Sequence, residues 1–428
     1  MVEDGLNIAV VGGGVAGIVA AYLLQQRHHV TLFEKDAYLG GHTHTIEIPS
    51  GPDAGLAVDT GFIVFNRANY PHLTALFDEL DVPVVKSDMS FGASFDGGRF
   101  EYGLRNLRAV FAQKRNLANP RFVAMLRDVV RFNARALEAA RDPGLTIGGM
   151  LERLGTGAWF RDRYILPLSG AIWSTPCAQI MDFPARALVR FFDNHALLSH
   201  TGQHQWYTVQ GGSVEYVNRL QAALAAQGVE LRLGAAVQAV RRSGIGPEVR
   251  ALGGEWEPFD ELVFATHADD TLALLADASP QERAALSAVR YQKNEAVLHA
   301  DAALMPRRRA AWASWVYTEE RGKAGERIDL TYWMNSLQPI PPDDPMFVTL
   351  NTTRPIREEL IYDSVTFRHP VYDHAALQAQ DRIRALNGAR GTWFCGAWMR
   401  NGFHEDGFAS AVEVAEAMTR QQDRAAAA

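Results

Sequence analysis

Three features in the first 34 residues predict an α/β fold: an apolar run, a glycine-rich turn, and a second short strand ending in an acid. Leu6–Val11 (LNIAVV) is almost wholly apolar, which suits a central parallel strand buried on both faces. Gly12–Gly17 (GGGVAG) follows without a spacer and opens a helical pattern through Val15, Ile18, Val19, Tyr22 and Leu23. His29–Phe33 (HVTLF) is the second strand, ending at Glu34. In such a Rossmann-type unit Gly12 permits the tight turn, Gly14 lets the backbone approach a pyrophosphate, and Gly17 lets helix and strand pack closely. The diphosphate then sits at the positive end of the helix, over Val15 and Ala16. Glu34, with Lys35 beside it, falls where an acid can accept hydrogen bonds from an adenosine ribose. The same acid opposes a ribose phosphate, so a phosphorylated nicotinamide cofactor is not expected.

A chain of 428 residues, 47% of them apolar, can bury a large core and is long enough for two interlocked domains. The net charge of −7 sets up no overall field for a nucleic-acid backbone. Cys177 and Cys395 are the only cysteines and form no CxxC pair, which points to a reducing compartment without a structural disulfide. The first strand begins within six residues, read as leaving no room for a signal peptide, and no apolar stretch reaches eighteen residues. A cytoplasmic location is the expectation.

Further along come Gly40-Gly41-His42-Thr43-His44-Thr45 and Asp59-Thr60-Gly61. Near the end, the strand-like Thr392–Cys395 leads through Gly396 and Ala397–Gly407 (AWMRNGFHEDG) into a helix expected over Phe408–Met418. With the GxGxxG turn and Glu34, these elements resemble the superfamily of flavin-containing amine oxidases, protoporphyrinogen oxidases and carotenoid desaturases, over nearly the whole chain. The resemblance implies noncovalent FAD, since the final motif's flavin-facing run has no cysteine. It implies contacts from Gly12, Gly14, Val15, Ala16, Gly17, Glu34, Lys35, Gly40, Gly41, His42, Thr43, Thr60 and Gly61. It adds Val237 against the adenine, Thr266 beside the diphosphate, and Gly396, Ala397, Asp406, Gly407 and Ala411 at the closing turn. Three positions depart from the pattern. Relatives usually carry Arg where this chain has His42, Asp where it has Ala397, and often Pro where it has His267. A neutral imidazole brings no fixed charge.

The resemblance also implies an α/β FAD-binding domain from residues 1–88, 208–285 and 388–428, with a mixed α+β substrate domain, 89–207 and 286–387, inserted. His404, next to the expected flavin ring, is the candidate catalytic base, because a histidine's pKa lies near working pH. Lys293 invites comparison with the lysine that holds a water near flavin N5 in some relatives, but it comes too early, before Glu295–His299. His195, His200 and His204 are not read as a metal site, since spacings of five and four put no clean HxxxH on a definite helix and no nearby Cys or acid completes a set. Leu330–Leu337 (LTYWMNSL) reads as a strand in the cavity floor, and Arg307–Arg309 as a solvent-facing charge run.

Residues 104–141 change character: nine Arg or Lys stand against Asp128 and Glu138 alone. Phe122, Met125, Leu126, Val129, Phe132 and Leu137 give the second half an apolar helical stripe. Such a helix is either a solvated face over a packed core or a surface for transient contact with anionic membrane on its inner face.

Through FIVFN, FFDNH, YWMNSLQ and GFHEDGF the chain further resembles bacterial predicted NAD/FAD-binding oxidoreductases associated with cyclopropane-fatty-acid-synthase-like enzymes. That implies an FAD-dependent enzyme desaturating or oxidising an apolar or lipid substrate, such as a methylated fatty acyl chain. Amine or polyamine oxidation, polyene or porphyrinogen-type oxidation, and a non-catalytic flavoprotein are the alternatives.

Overall fold

The computed structural model describes residues 5–49, 54–142, 144–173, 180–195, 197–198, 204–244, 246–320 and 329–426. Its centre is a five-stranded parallel sheet in the order Glu230–Arg232, His29–Phe33, Asn7–Val11, Glu261–Phe264, Thr392–Phe394. Val10 pairs with Leu32 on one side and Val263 on the other, so the first strand is central, as its apolar run requires. Alternation then builds two cores. Ile8 and Val10 face the helices Val15–Leu24, Val214–Ala226 and His404–Ala426, while Ala9 and Val11 face a small antiparallel sheet and the helices Ala268–Leu274 and His374–Leu386.

A second sheet has seven strands, ordered Ile361–Val371, Arg290–His299, Phe347–Leu350, Leu330–Trp333, Trp315–Glu319, Phe91–Phe95, Phe100–Gly103. All its pairings are antiparallel except that of Trp315–Glu319 with Phe91–Phe95. One face packs on a helical layer that includes Pro120–Ala139, Leu166–Trp173 and Ala185–Asn194.

Four local expectations are corrected. The strand at 330 stops at Trp333, and Met334–Leu337 is a helical turn. Asn335 takes over the local backbone there, accepting from Met346 N–H and donating to the carbonyls of Pro341 and Asp344, so the ladder cannot continue. The closing helix begins at His404 rather than Phe408, because Asp406 accepts the N–H groups of Asn401 and Phe403 and fixes the preceding turn. The run at 307 is not simply solvated: Arg308 pairs with buried Glu101 at 2.9 Å, and the Arg309 guanidinium lies 3.7 Å from the Trp312 ring centre. Leu137, expected in the core, is exposed.

The basic segment contains the helix Pro120–Ala139, capped by the Asn119 side chain and started by Pro120. Phe122, Met125, Phe132 and Ala136 fill its inner face. Arg131 is tied down, bonding Asp128 at 2.9 Å and the Gly155 carbonyl at 2.8 Å. Arg108, Lys114, Arg121, Arg127, Arg135 and Arg141 have no carboxylate partner among the described residues, and Leu107, Leu117, Val130 and Leu137 are exposed among them. No helix among the described residues is long and apolar enough to cross a membrane.

Candidate functional site

The glycines divide by what a side chain would meet. Gly12 has φ +108°, and its N–H bonds Phe33 O at 2.9 Å, turning the chain sharply off the sheet. A Cβ on Gly17 would stand 1.8 Å from Gly12 O, so helix and turn close only without one. A Cβ on Gly14 would have nothing nearer than Gly41 Cα at 3.9 Å. Gly14 thus leaves an open cradle at the helix N-terminus, where a diphosphate fits.

The second glycine pair forms the facing wall. Gly40 N–H bonds Gly13 O at 2.8 Å, and Thr43 N–H returns to Gly40 O at 3.0 Å. Gly61 lets the next segment pass close by: its Cβ would be 1.9 Å from His42 O. Thr60 Oγ1 lies 2.7 Å from His44 Nδ1. Buried Glu34 accepts from Gly13 N–H at 2.6 Å and Asp36 N–H at 2.9 Å, and a carboxylate retains further acceptor capacity. Lys35 is exposed beside it. The loop leading to Val237 is anchored there through Ala235 N–H to Glu34 O. Thr266 closes the floor, its carbonyl accepting from Trp398 Nε1 at 3.1 Å and its methyl facing Gly12. At the C-terminal turn Gly396 N–H bonds Ser410 Oγ, Gly402 N–H bonds Ala397 O, and a Cβ on Gly407 would strike Val15 at 2.7 Å. Ala411 is buried against the first helix's layer. Four distant stretches of sequence therefore meet around one helix end.

Where relatives carry Arg, this site holds neutral imidazoles. The His42 ring stacks on Phe367 at 5.0 Å and lies 5.6 Å from each of His267 and His369. Burial lowers the pKa of His42 and pushes His267 and His369 down to about 3, with neighbouring His42 adding to the effect on both. The nearby cation, Arg368, spans Asp269 (2.8 Å) and Asp270. Those two acids and His267 are the one cluster of three potential metal donors among the described residues, but its carboxylates are taken by the guanidinium. Of the earlier histidines, His195 Nδ1 meets Phe191 O, His204 Nε2 meets Asn194 O, and His200 lies outside the described residues. Cys177 also lies outside them.

His404 is held on two sides. Its Nε2 lies 2.6 Å from Tyr216 Oη, which is 2.9 Å from Thr43 Oγ1, and its ring stacks on Phe62 at 3.9 Å and 12°. Burial pushes its pKa down to about 3. The ring is thus held as a hydrogen-bonding partner of Tyr216, and burial disfavours its protonated form. Lys293 is exposed, and strand alternation turns Asn294 inward, Nδ2 2.6 Å from His369 Nδ1. Sequence reasoning missed Tyr216, Phe62, Asn294 and His369. Tyr216 occupies a periodic core position of its helix, and no local signal marks the other three.

Beside the turn Asn401–Asp406 lies a cavity of about 460 Å³ with a mixed lining, in which Tyr70, Phe191 and Phe403 stand among polar groups such as Asn69, Asn194 and Gln380. Phe191 and Phe403 stack at 4.9 Å. A dinucleotide cradle closed by a C-terminal turn that also walls a cavity is the construction of a flavin-dependent oxidoreductase. The model of the family described as flavin containing amine oxidoreductase matches residues 15–300, and the chain belongs to that family. Among curated proteins it is 33% identical over 172 residues to a carotenoid phi-ring synthase from Streptomyces griseus, covering 38% of this chain. That match spans only about a third (32%) of the synthase's length. Among solved structures, a CLA-producing fatty acid isomerase from P. acnes superposes with TM-score 0.67 at 15% identity, over 98% of this chain and 99% of that one. Cyclohexylamine oxidase from Brevibacterium oxydans gives 0.66 at 14%, over 98% and 100%. Identities this low establish the shared fold alone.

Proposed function

We propose that the protein binds FAD noncovalently and desaturates or oxidises a lipid, with a fatty acyl chain as the leading candidate. FAD, when bound, accepts a hydride at N5 and is then reoxidised. The chain's own residues seat it: Gly14 gives room, the helix N-terminus and backbone N–H groups meet the diphosphate, and Glu34 meets the ribose. The His404–Tyr216–Thr43 chain fixes the closing turn. Cys395 is fully buried and its thiol is pushed up to about 12, which removes it as a point of covalent attachment.

The observation that carries the lipid reading is the stacked Phe191–Phe403 pair, with Tyr70 and Leu377, within the mixed lining of the cavity against Asn401–Asp406. A fatty-acid-acting protein among those sharing this fold adds to it. An amine would seek the carboxylates on the same wall, but burial raises Glu405 to about 7 and Asp406 to about 6, which weakens their pull on a cation. We extend the reading to reversible contact with anionic membrane through the basic segment and its exposed leucines, a route by which a bilayer-resident substrate can be reached.

The test is anaerobic reduction of the yellow holoprotein by acyl lipids and by putrescine. It is paired with mass spectrometry of lipids from cells with and without the protein. Bleaching by an acyl lipid and a matching new unsaturation are expected. Bleaching by putrescine alone overturns the lipid reading, and flavin retained in an acid-precipitated pellet overturns noncovalent binding.

A further inference from the structure

The helix Ala185–Asn194 forms one wall of the cavity described above and carries two arginines onto it, Arg186 and Arg190, one turn apart. Both are exposed, and neither has a carboxylate partner among the described residues. Like charges four residues apart on a helix repel, so the pair is unfavourable until an anion lies between them. The carboxylates nearest in the same cavity do not supply that anion, since Glu405 and Asp406 direct their oxygens to backbone N–H groups. The same lining carries Phe191, Phe403 and Leu377 among its polar groups, with Phe191 and Phe403 stacked at 4.9 Å. Behind Pro184 and Ala187 a narrow annex continues between Trp173, Phe183 and Leu188.

From these groups, we propose that Arg186 and Arg190 anchor the anionic head of an acyl substrate whose chain runs along the Phe191–Phe403 pair towards the closing turn. Guanidinium forks match a carboxylate or phosphate in geometry as well as charge. The same pair repels a cationic amine. This assignment rests on the lipid reading of the site and narrows it to acyl chains with a negative head.

The test is calorimetric titration of the FAD-loaded protein with dodecanoate, dodecyl phosphate, methyl dodecanoate and dodecylamine. Dodecanoate or dodecyl phosphate should bind at least tenfold more tightly than the ester or the amine, and the tighter of the two names the head group. Arg186→Glu with Arg190→Glu should abolish that preference while leaving ester affinity within twofold. Arg186→Lys with Arg190→Lys should restore part of it and guards against a simple folding defect. Unchanged dodecanoate and dodecyl phosphate affinity in the charge-reversed protein overturns the anchor. If ester and anions then bind equally, the lipid reading stands without this head-group site. If dodecylamine binds most tightly, both fall.

Discussion

Tyr216 Oη lies 2.6 Å from Nε2 of His404, across 188 residues of sequence, and joins the helix Val214–Ala226 to the start of the last helix. Both groups are buried, and the ring stacking of His404 on Phe62 leaves the imidazole little freedom. The contact makes the closing turn part of the first domain's core instead of a flap over it.

Removing that bond should therefore loosen the turn before it alters proton transfer. Tyr216→Phe leaves His404 Nε2 buried without its partner and should cost about 1–3 kcal/mol of stability. His404→Gln should lower flavin affinity, while the reduction rate of protein saturated with FAD keeps the parent's pH profile. A profile that loses one ionisation in His404→Gln, followed by stopped flow, would return His404 to the role of base.

Gly14 and Gly17 should separate binding from folding. Gly14→Val points its side chain into open space, so the protein should fold with a parent-like melting temperature yet bind no flavin. Gly17→Ala drives Cβ into the Gly12 carbonyl and should destabilise the protein by about 3 kcal/mol or more. Flavin titration and thermal denaturation of both variants decide it. A Gly14→Val protein that still binds FAD at parent affinity removes the cradle from the argument.

Acid should weaken the fold. Burial holds His267, His369 and His404 near 3, and His195 and His299 near 4, against 6.5 in an unfolded chain. From pH 6.5 down towards those values the unfolded chain takes up protons that the folded one refuses, so stability falls as pH falls. Asp59, Asp406 and Glu405 act in the opposite sense: burial raises them to about 6, 6 and 7, so their contribution is present at low pH and lost as pH rises through 6–7. Five imidazoles outweigh three carboxyls between pH 4.5 and 6, with a net slope of roughly 2–3 kcal/mol per pH unit at most. The melting temperature of the apoprotein should drop on going from pH 6.5 to 4.5. A flat or rising curve contradicts the buried neutral cluster.

Charge reversal at Arg127 and Arg135 should release the protein from phosphatidylglycerol vesicles without expelling FAD. Each basic residue contributes about 1 kcal/mol near an anionic surface, so two reversals should weaken binding by at least thirtyfold at low salt. Arg131 is left alone because it holds Asp128 and Gly155. Sedimentation with anionic and neutral vesicles reads this directly. Equal absence of the parent from all pellets makes the segment an ordinary solvated face.

The parallel sheet was legible because three of its strands announce themselves locally: Leu6–Val11, His29–Phe33 and Thr392–Cys395 are apolar runs next to glycine or an acid. The glycine roles were legible because the motif encodes backbone geometry. What escaped was everything set by alternation or long-range contact. That Asn294 rather than Lys293 points inward depends on the pairing of Arg290–His299 with Ile361–Val371. The imidazole cluster is invisible as a cluster because His42, His267 and His369 come from three elements. The early start of the last helix depends on one Asp406 carboxylate capturing two backbone donors, a choice that neither apolar period nor glycine position signals.

The order of assembly carries a further consequence. Helix Val15–Leu24 packs against His404–Ala426, made nearly four hundred residues later, and Gly407 must meet Val15 for the two to close. The sheet's edge strand, Thr392–Phe394, is likewise made long after the central one. During translation the opening strand and turn are therefore a template awaiting a partner nearly four hundred residues away, with Val10 and Ile18 exposed for as long as the ribosome takes to reach it. Flavin capture must wait for that partner: a chain grown only to residue 390 has its glycine turn but no completed seat.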